Sequence, residues 1–162
     1  MTDVSIGPAD FGDRTLLDLV DLHLSAMRAQ SPPDSVHALG AAGLASDQTS
    51  TFVIVRDDRV VAMGALRRLD DGTFEIKSMR THPDHLGQGL GRLMLEHLIS
   101  RAVAMSAGRL SLETGSGPAF EPALALYRSR GFLPGPAFGG YEATDFNQFF
   151  HLDLSPYKEP LA

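Results

Sequence analysis

Apolar residues recur every three to four positions in three long segments of the chain, which is the spacing of a helix with one buried face. The first segment ends near residue 29, before the helix-breaking string SPPD, and Thr15 with Asp18 gives its start the spacing of a capping box. The second follows a glycine-rich turn and is expected to end near Gly108. The third, AFEPALALYRSRGF, ends at Gly131. A shorter, weaker helix is predicted in SVHALGAAGLA.

Shorter segments have the pattern of β-strands. DVSIG is the first, TFVIV and VVAMGAL flank the polar turn RDDR as a hairpin, and FEIKSM, RLSLET and NQFFHLDL follow. The string SPYKEPLA is expected to be a loose end. The resulting order is strand, two helices, three strands, helix, strand, helix, strand. This order predicts a mixed α/β layer architecture with at least one right-handed crossover.

Length, charge and cysteine content exclude several classes of protein. The 162 residues suit one domain, and a net charge of -6 has the wrong sign for a protein that neutralises nucleic-acid phosphates. The chain has no cysteine, no apolar run of the ~20 residues that span a bilayer, and no signal-like start. We therefore expect a cytoplasmic protein with neither nucleic acid nor membrane as partner, whose oligomeric state, a homodimer included, stays open.

The string HLGQGLGRLML places glycines at 87, 89 and 91 immediately before a helix. Such a turn leaves backbone N–H groups free at the positive end of the helix, where phosphate binds well, and Arg92 could add a charge. The spacing does not match the dinucleotide pattern G-x-G-x-x-G, and no G-K-[ST] follows as in a Walker loop. The alternative is that the glycines only permit a tight turn.

Two motifs resemble those of the GCN5-related N-acetyltransferase (GNAT) family. EIKSMRTHPDHLGQGLGRLML is similar to its acetyl-coenzyme A motif, with Leu86 where the family usually has Gln or Arg, and ALALYRSRGF is similar to its later A-x-x-L-Y-x-x-x-G-F element. SPPDSVHAL and SLETGSGPAFEPALALYRSRGF extend the likeness to a bacterial subgroup of uncharacterised acetyltransferases. The resemblance implies a central mixed, mostly antiparallel sheet of six to seven strands with about four helices.

The same resemblance implies how the chain is organised. It makes residues 1–162 one N-acetyltransferase domain, with acceptor-side helices at about 13–46, an acetyl-CoA-binding core at about 51–133 and a last strand at about 147–154. The cofactor is acetyl-CoA, without a metal. The residues that match the family's cofactor site are Met79, Arg80, Thr81, Gly87, Gln88, Gly89, Leu90, Gly91 and Arg92.

The resemblance also suggests catalytic roles. Tyr127 matches the tyrosine that gives a proton to the departing thiolate, against the alternative of a core tyrosine, and the Met79 N–H is the expected oxyanion donor. Glu75 stands where some family members carry the general base. Its alternative is an exposed strand glutamate opposite Lys77, and Glu113 is the next candidate base.

The acceptor side is the least defined by sequence. Arg28, Ser31 and His37 lie in and near the early helices and are hypothesised to contact the substrate, as Glu113 could also do. His82 and His85 have a metal-like spacing but lack a third ligand, so we predict no metal. The leading prediction is transfer of acetyl from acetyl-CoA to the amine of a small-molecule or amino-acid-like acceptor, by direct reaction in a ternary complex. The alternative is a non-catalytic domain that binds acyl-CoA.

Overall fold

The computed structural model describes residues 3–157. Seven strands and four helices follow one another in the order β1, α1, α2, β2, β3, β4, α3, β5, α4, β6, β7. The strands are β1 Ser5–Pro8, β2 Thr49–Arg56, β3 Arg59–Arg68, β4 Phe74–Thr81, β5 Arg109–Thr114, β6 Leu133–Pro134 and β7 Gln148–Asp153. The helices are α1 Arg14–Gln30, α2 Ala41–Leu44, α3 Leu90–Ala104 and α4 Glu121–Ser129.

All seven strands form one sheet in the order β1-β2-β3-β4-β5-β7-β6. Every neighbouring pair is antiparallel except β4 and β5, which are parallel and are connected through α3. The predicted mixed, mostly antiparallel sheet is therefore confirmed. The two-residue strand β6 had no pattern of its own in the sequence, because period-2 alternation cannot be seen in two residues.

The sheet buries apolar side chains on both faces. The α3-side cluster contains Leu98, Leu110 and Phe150, all at most 1% exposed, with α3 and α4 packed over it. The smaller α1-side cluster joins Leu16 and Leu19 of α1 to Ala65 of β3. Because the middle strands are covered on both faces, even their polar residues are buried.

Two predicted helix boundaries are wrong. The first helix is capped by Asp13, whose carboxylate accepts the Thr15 N–H at 2.9 Å, so Thr15 and Asp18 do not form the predicted capping box. Helix α3 ends before Gly108: Ser106 takes the left-handed conformation at φ 61°, and the Ala107 N–H donates to the Ala102 carbonyl at 3.0 Å. This is a Schellman cap built on serine instead of glycine.

The remaining boundaries lie closer to the predictions. Gly131, at φ +100°, does end the helix α4. Only Ala41–Leu44 of the predicted weak helix is α-helical, with a short 3-10 turn at Pro33–Ser35 before it. Ser155–Tyr157 forms another 3-10 turn, and the rest of the predicted loose end lies outside the described residues. None of the described helices is long and apolar enough to cross a membrane.

Candidate active site

The parallel strands β4 and β5 pair over only two positions, Phe74 with Leu110 and Glu75 with Ser111. Beyond Glu75 the two strands separate, although β4 continues to Thr81. A cavity of about 330 Å³ lies in the gap, and helix α4 closes one side of it. The residues that line it include His23, Met79, Arg80, Leu112, Glu113 and Tyr127. The separation of two strands thus creates a slot through the centre of the sheet.

A β-bulge in β4 turns the strand at this slot. Met63 pairs with Arg80 and Ala65 with Lys77, so the single residue Gly64 lies opposite the extra residue of β4. Ser78 has the left-handed φ of 56° there. A Cβ on Gly64 would lie only 2.8 Å from Cγ of Met94, which explains the glycine. The bulge changes the direction in which the following residues, Met79 and Arg80, face the cavity.

The glycine-rich turn lies at the start of α3. Gly87 and Gly89 have φ of +74° and +79°, and no atom lies within 4 Å of a Cβ built on either residue. Gly91 differs: it is the second residue of α3, and its Cβ would lie 3.4 Å from Leu126, which indicates close packing against α4. The first helical amides have no partner inside a helix, so the turn offers an exposed set of N–H donors for an anion.

Two arginines border this turn. Arg92 donates from Nη2 to Ser129 Oγ at 3.0 Å, which holds its guanidinium against α4. Arg56, at the end of β2, donates to the Gln88 side chain and lies 3.1 Å from Nδ1 of His85. The sequence did not point to Arg56, because a hairpin and a sheet register separate it from the turn. Both cations can contribute to the charge that attracts phosphate.

Tyr127 of α4 is buried and packs with its ring centroid 5.7 Å from that of Phe132, while it also lines the slot. Burial raises the pKa of its phenol well above the usual 10, and the positive charge of Arg80 opposes that shift only in part. The hydroxyl is therefore protonated at neutral pH.

Arg80 in turn donates from Nε to His23 Nδ1 at 2.9 Å. Burial, together with Arg80 and Lys77, lowers the pKa of His23 to about 3, so this histidine is neutral.

Glu75 is buried at 2% exposure, and the alternative of an exposed strand glutamate is wrong. Its Oε2 accepts a hydrogen bond of 2.5 Å from the Tyr141 hydroxyl and lies 3.4 Å from Nζ of Lys77. Lys77 also donates to the same hydroxyl at 2.8 Å. Tyr141, in the loop before β7, was not singled out by sequence, because nothing local relates it to a residue 66 positions earlier.

Glu113 lies across the slot on β5. Burial raises the pKa of its carboxyl, and the charge of His37 and a 3.4 Å hydrogen bond from Asn147 Nδ2 oppose the shift. His37 Nε2 lies 3.7 Å from the carboxylate, and its ring packs edge-on at 5.0 Å from that of Tyr141. At a given pH, a larger fraction of the Glu113 carboxyl is therefore protonated than of an ordinary glutamate.

A second and larger cavity, of about 900 Å³, opens on the α1 face of the sheet. It shares three lining residues with the slot, namely His37, Glu75 and Lys77. The two spaces therefore meet at the Glu75–Lys77–Tyr141 network. A molecule in the larger cavity would reach a molecule in the slot at this point.

The other predicted acceptor residues lie outside both cavities. Arg28 is exposed near the end of α1, and the Ser31 hydroxyl is buried without a hydrogen-bond partner in residues 3–157. Thr81 pairs with Ala62 in the sheet, beyond the slot. Within residues 3–157, no three metal-ligating side chains gather at one point. His82 instead accepts the Asp84 N–H at 3.1 Å.

The family model for the acetyltransferase (GNAT) family matches residues 16–132. The chain is 42% identical over 141 residues to the uncharacterised N-acetyltransferase YsnE of Bacillus subtilis. The aligned residues cover 87% of this chain and 93% of YsnE. A crystal structure of an acyl-CoA N-acyltransferase from Klebsiella pneumoniae superposes with a TM-score of 0.74 at 25% identity, covering 93% of this chain and 97% of that one.

A further solved structure, YncA of Salmonella typhimurium with its cofactor acetyl-CoA, has the same fold at a TM-score of 0.68 and 22% identity, covering 98% of each chain. The chain belongs to the GNAT family of acetyltransferases, and it is an N-acetyltransferase.

Proposed function

We propose that the protein transfers acetyl from acetyl-CoA to the amine of a small molecule, in one step within a ternary complex. The observation that supports this most directly is the meeting of the two cavities. The slot between β4 and β5 suits the narrow pantetheine arm, and the larger polar cavity suits an acceptor. Their junction at Glu75, Lys77 and His37 would bring amine and thioester together, which is the chief requirement of a direct transfer.

On this proposal the glycine turn holds the pyrophosphate. The donors are the backbone amides of residues 87–92, and Arg56 and Arg92 contribute positive charge. The thioester then lies beside the bulge, where the Met79 N–H would stabilise the oxyanion. No cysteine is present to form an acyl-enzyme intermediate. The amine therefore attacks the thioester carbonyl directly, and the C–S bond breaks.

Tyr127 would protonate the departing thiolate. The phenol, whose pKa lies above 10, is a weaker acid than the thiol of coenzyme A, whose pKa resembles that of cysteine, near ~8.5, so the transfer is uphill and requires the phenolate to be stabilised. Burial keeps the phenol protonated until that moment. The neighbouring Arg80 charge would stabilise the phenolate that forms.

Glu113 is a better candidate for the general base than Glu75. Oε2 of Glu75 already accepts hydrogen bonds from the Tyr141 hydroxyl and from Lys77, which leaves only Oε1 to take a substrate proton. Glu113 has only the weak contacts to His37 and Asn147, and its raised pKa increases its strength as a base. We therefore assign proton removal to Glu113 and the positioning of the junction to Glu75.

The test measures the release of coenzyme A thiol from acetyl-CoA with a panel of amines. Wild type should release thiol with at least one amine. Tyr127→Phe and Glu113→Gln should each lower turnover by roughly 10²–10⁴-fold, while still binding acetyl-CoA. Glu75→Gln serves as the comparison and should have the smaller effect on turnover.

Binding is measured separately by the thermal stabilisation that acetyl-CoA produces. Ligand at 100 times its Kd should stabilise the folded state by about 2.7 kcal/mol. If wild type binds acetyl-CoA but releases no thiol with any amine, the chain acts as a non-catalytic binding domain. A shift with NADPH and none with acetyl-CoA would refute the proposal altogether.

A further inference from the structure

Arg67 of β3 lies directly beside the junction of the two cavities. It pairs with Glu75 across the strands, so both side chains leave the sheet on the α1 face. It lines the larger cavity and is only partly exposed. In residues 3–157 its guanidinium forms no ion pair within 4 Å. A cation in a cavity wall without a protein partner is available for a ligand.

The neighbouring cation, Lys77, already has protein partners. Glu75 and the Tyr141 hydroxyl both hold its ammonium group, whose Nζ also lies 5.5 Å from the centre of the Tyr141 ring. Burial and the charge of Glu75 raise the pKa of Tyr141, and the charge of Arg67 opposes this shift, so Arg67 lies within electrostatic reach of the network. Arg68 also lines the larger cavity, but its guanidinium lies 4.8 Å over the Phe74 ring, which leaves Arg67 as the cation beside the junction.

The acidic residues of the cavity do not neutralise Arg67. Asp71 lies in the hairpin turn, accepts from Thr73 and lies 3.7 Å from Arg109. Asp34, Asp70 and Glu142 are exposed at the rim. At the junction Arg67 and Lys77 lie near Glu75 and Glu113, and the slot adds Arg80, so these five side chains sum to one positive charge when all are ionised. A carboxylate on the acceptor offsets that charge, whereas a diamine adds two more positive charges.

From this arrangement we propose that the acceptor is an amine that also carries a carboxylate, and that Arg67 binds the carboxylate. The inference rests on the proposed acetyl transfer at the same site. Arg67, Glu75 and Ser111 lie side by side on adjacent strands about 4.8 Å apart. Glu113 lies two residues beyond Ser111 on the same face, and because the strands separate beyond Glu75, the Cα atoms of Arg67 and Glu113 are at least roughly 12 Å apart.

Two long side chains leave room in that space for a small amino acid. The planar guanidinium can hold a carboxylate through two parallel hydrogen bonds, which fixes the acceptor in one orientation. The amine of the same molecule would then point towards Glu113 and the slot. Arg67 is on this account a substrate-binding residue that selects the acceptor.

The experiment compares matched acceptors that differ only in the carboxylate. A panel of free amino acids is assayed by thiol release beside the same amino acids as carboxamides, with wild type, Arg67→Gln, Arg67→Lys and Arg68→Gln. Arg68→Gln is the control, because it removes the same charge at the next residue. The Arg68 guanidinium lies 4.8 Å over the Phe74 ring.

Wild type should use at least one free acid with a kcat/KM about tenfold or more above its carboxamide, the ratio that corresponds to about 1.4 kcal/mol. Arg67→Gln should remove that preference mainly through KM, and Arg67→Lys should restore part of it, because lysine keeps the charge without the planar geometry. Arg68→Gln should retain the wild-type preference. Equal urea midpoints of unfolding would establish that the variants are folded.

Four results would overturn the inference. Equal use of acids and carboxamides by wild type would show that no carboxylate is recognised, although acetyl transfer itself would stand. A preference for diamines would show that the acidic rim selects the acceptor. An equal loss of preference in Arg67→Gln and Arg68→Gln would show that only the total positive charge matters. No thiol release with any amine would contradict the proposed function, and the inference would fail with it.

Discussion

The two faces of β4 and β5 are both buried, but they are built from different chemistry. On the α3 side, Phe74 of β4 and Leu110 of β5 enter a continuous apolar cluster. On the α1 side, Glu75, Lys77 and Glu113 surround the cavities. Burial of the first set is the main source of stability, since apolar burial drives folding. Burial of the second set costs free energy and is best explained by the reaction.

The largest effect is expected from Glu113→Gln, which should lower turnover by roughly 10²–10⁴-fold. Glu113 can accept a proton only when it is ionised, and its pKa is raised above the usual 4.5. Wild-type kcat/KM should therefore rise with pH through that raised pKa. The residual activity of the variant should lack this rise, and a pH profile of kcat/KM for both proteins measures it.

The same substitution should not lower stability, which separates a catalytic role from a structural one. Because the folded state raises the pKa of Glu113, the stability that this group contributes is fully present below its unfolded pKa and is lost as pH rises through the folded value. Glutamine has no such ionisation. Urea unfolding at pH 7 should give Glu113→Gln a midpoint no lower than that of wild type. A clearly lower midpoint would make Glu113 a structural residue.

On the apolar face the expectation is reversed. Leu110→Ala removes a fully buried side chain from the α3-side cluster and should lower the free energy of unfolding by about 2–5 kcal/mol. Turnover of the molecules that remain folded should change little at low temperature. Urea unfolding and thiol release on the same samples measure both quantities. Loss of turnover in a protein that is still fully folded would mean that the two faces are not separable.

Lys77→Met tests how much the charged face costs. It leaves the buried Glu75 with Tyr141 as its remaining donor, and should destabilise the fold by about 2 kcal/mol, since the adjoining cavity admits water. Adding Glu75→Gln should recover at least half of that loss, because the unpaired charge is then removed. The double variant completes a mutant cycle by urea unfolding. Additive losses would show that the two residues are energetically independent.

This contrast also explains what the sequence could predict. Tyr127 and Gly89 stand in motifs whose residues are close along the chain, and the α/β order followed from the periodicity of apolar residues. The burial of Glu75 did not follow, since an alternating strand is ordinarily taken to have one solvated face. Tyr141 and Arg67 reach the site only through sheet register and a returning loop. Residues that meet through tertiary structure leave no local pattern.

The helix ends show the same limit on a smaller scale. Asp13 rather than Thr15 caps α1, and both residues are good caps, so propensity alone cannot choose between them. Ser106 rather than Gly108 terminates α3, although glycine is the better residue for a positive φ. Tertiary contacts accompany both ends: the Thr15 hydroxyl accepts the Val60 N–H of β3 at 3.0 Å, and Ala107, after Ser106, is buried.

The smallest expected effect is that of Ser106→Gly, which tests whether stability and turnover are independent. Ser106 holds φ 61° at an exposed position, where a left-handed conformation costs a non-glycine residue roughly 1–2 kcal/mol. Glycine removes that strain, but it gains entropy in the unfolded chain that offsets about 0.4–1 kcal/mol. The net gain should be about 0.5–1 kcal/mol by urea unfolding.

Combined with Glu113→Gln, the substitution should add the same stability and restore no turnover, because the defect there is the missing base. Recovery of turnover would show that Glu113→Gln had acted by loosening the fold, and the distinction between the two faces would fail.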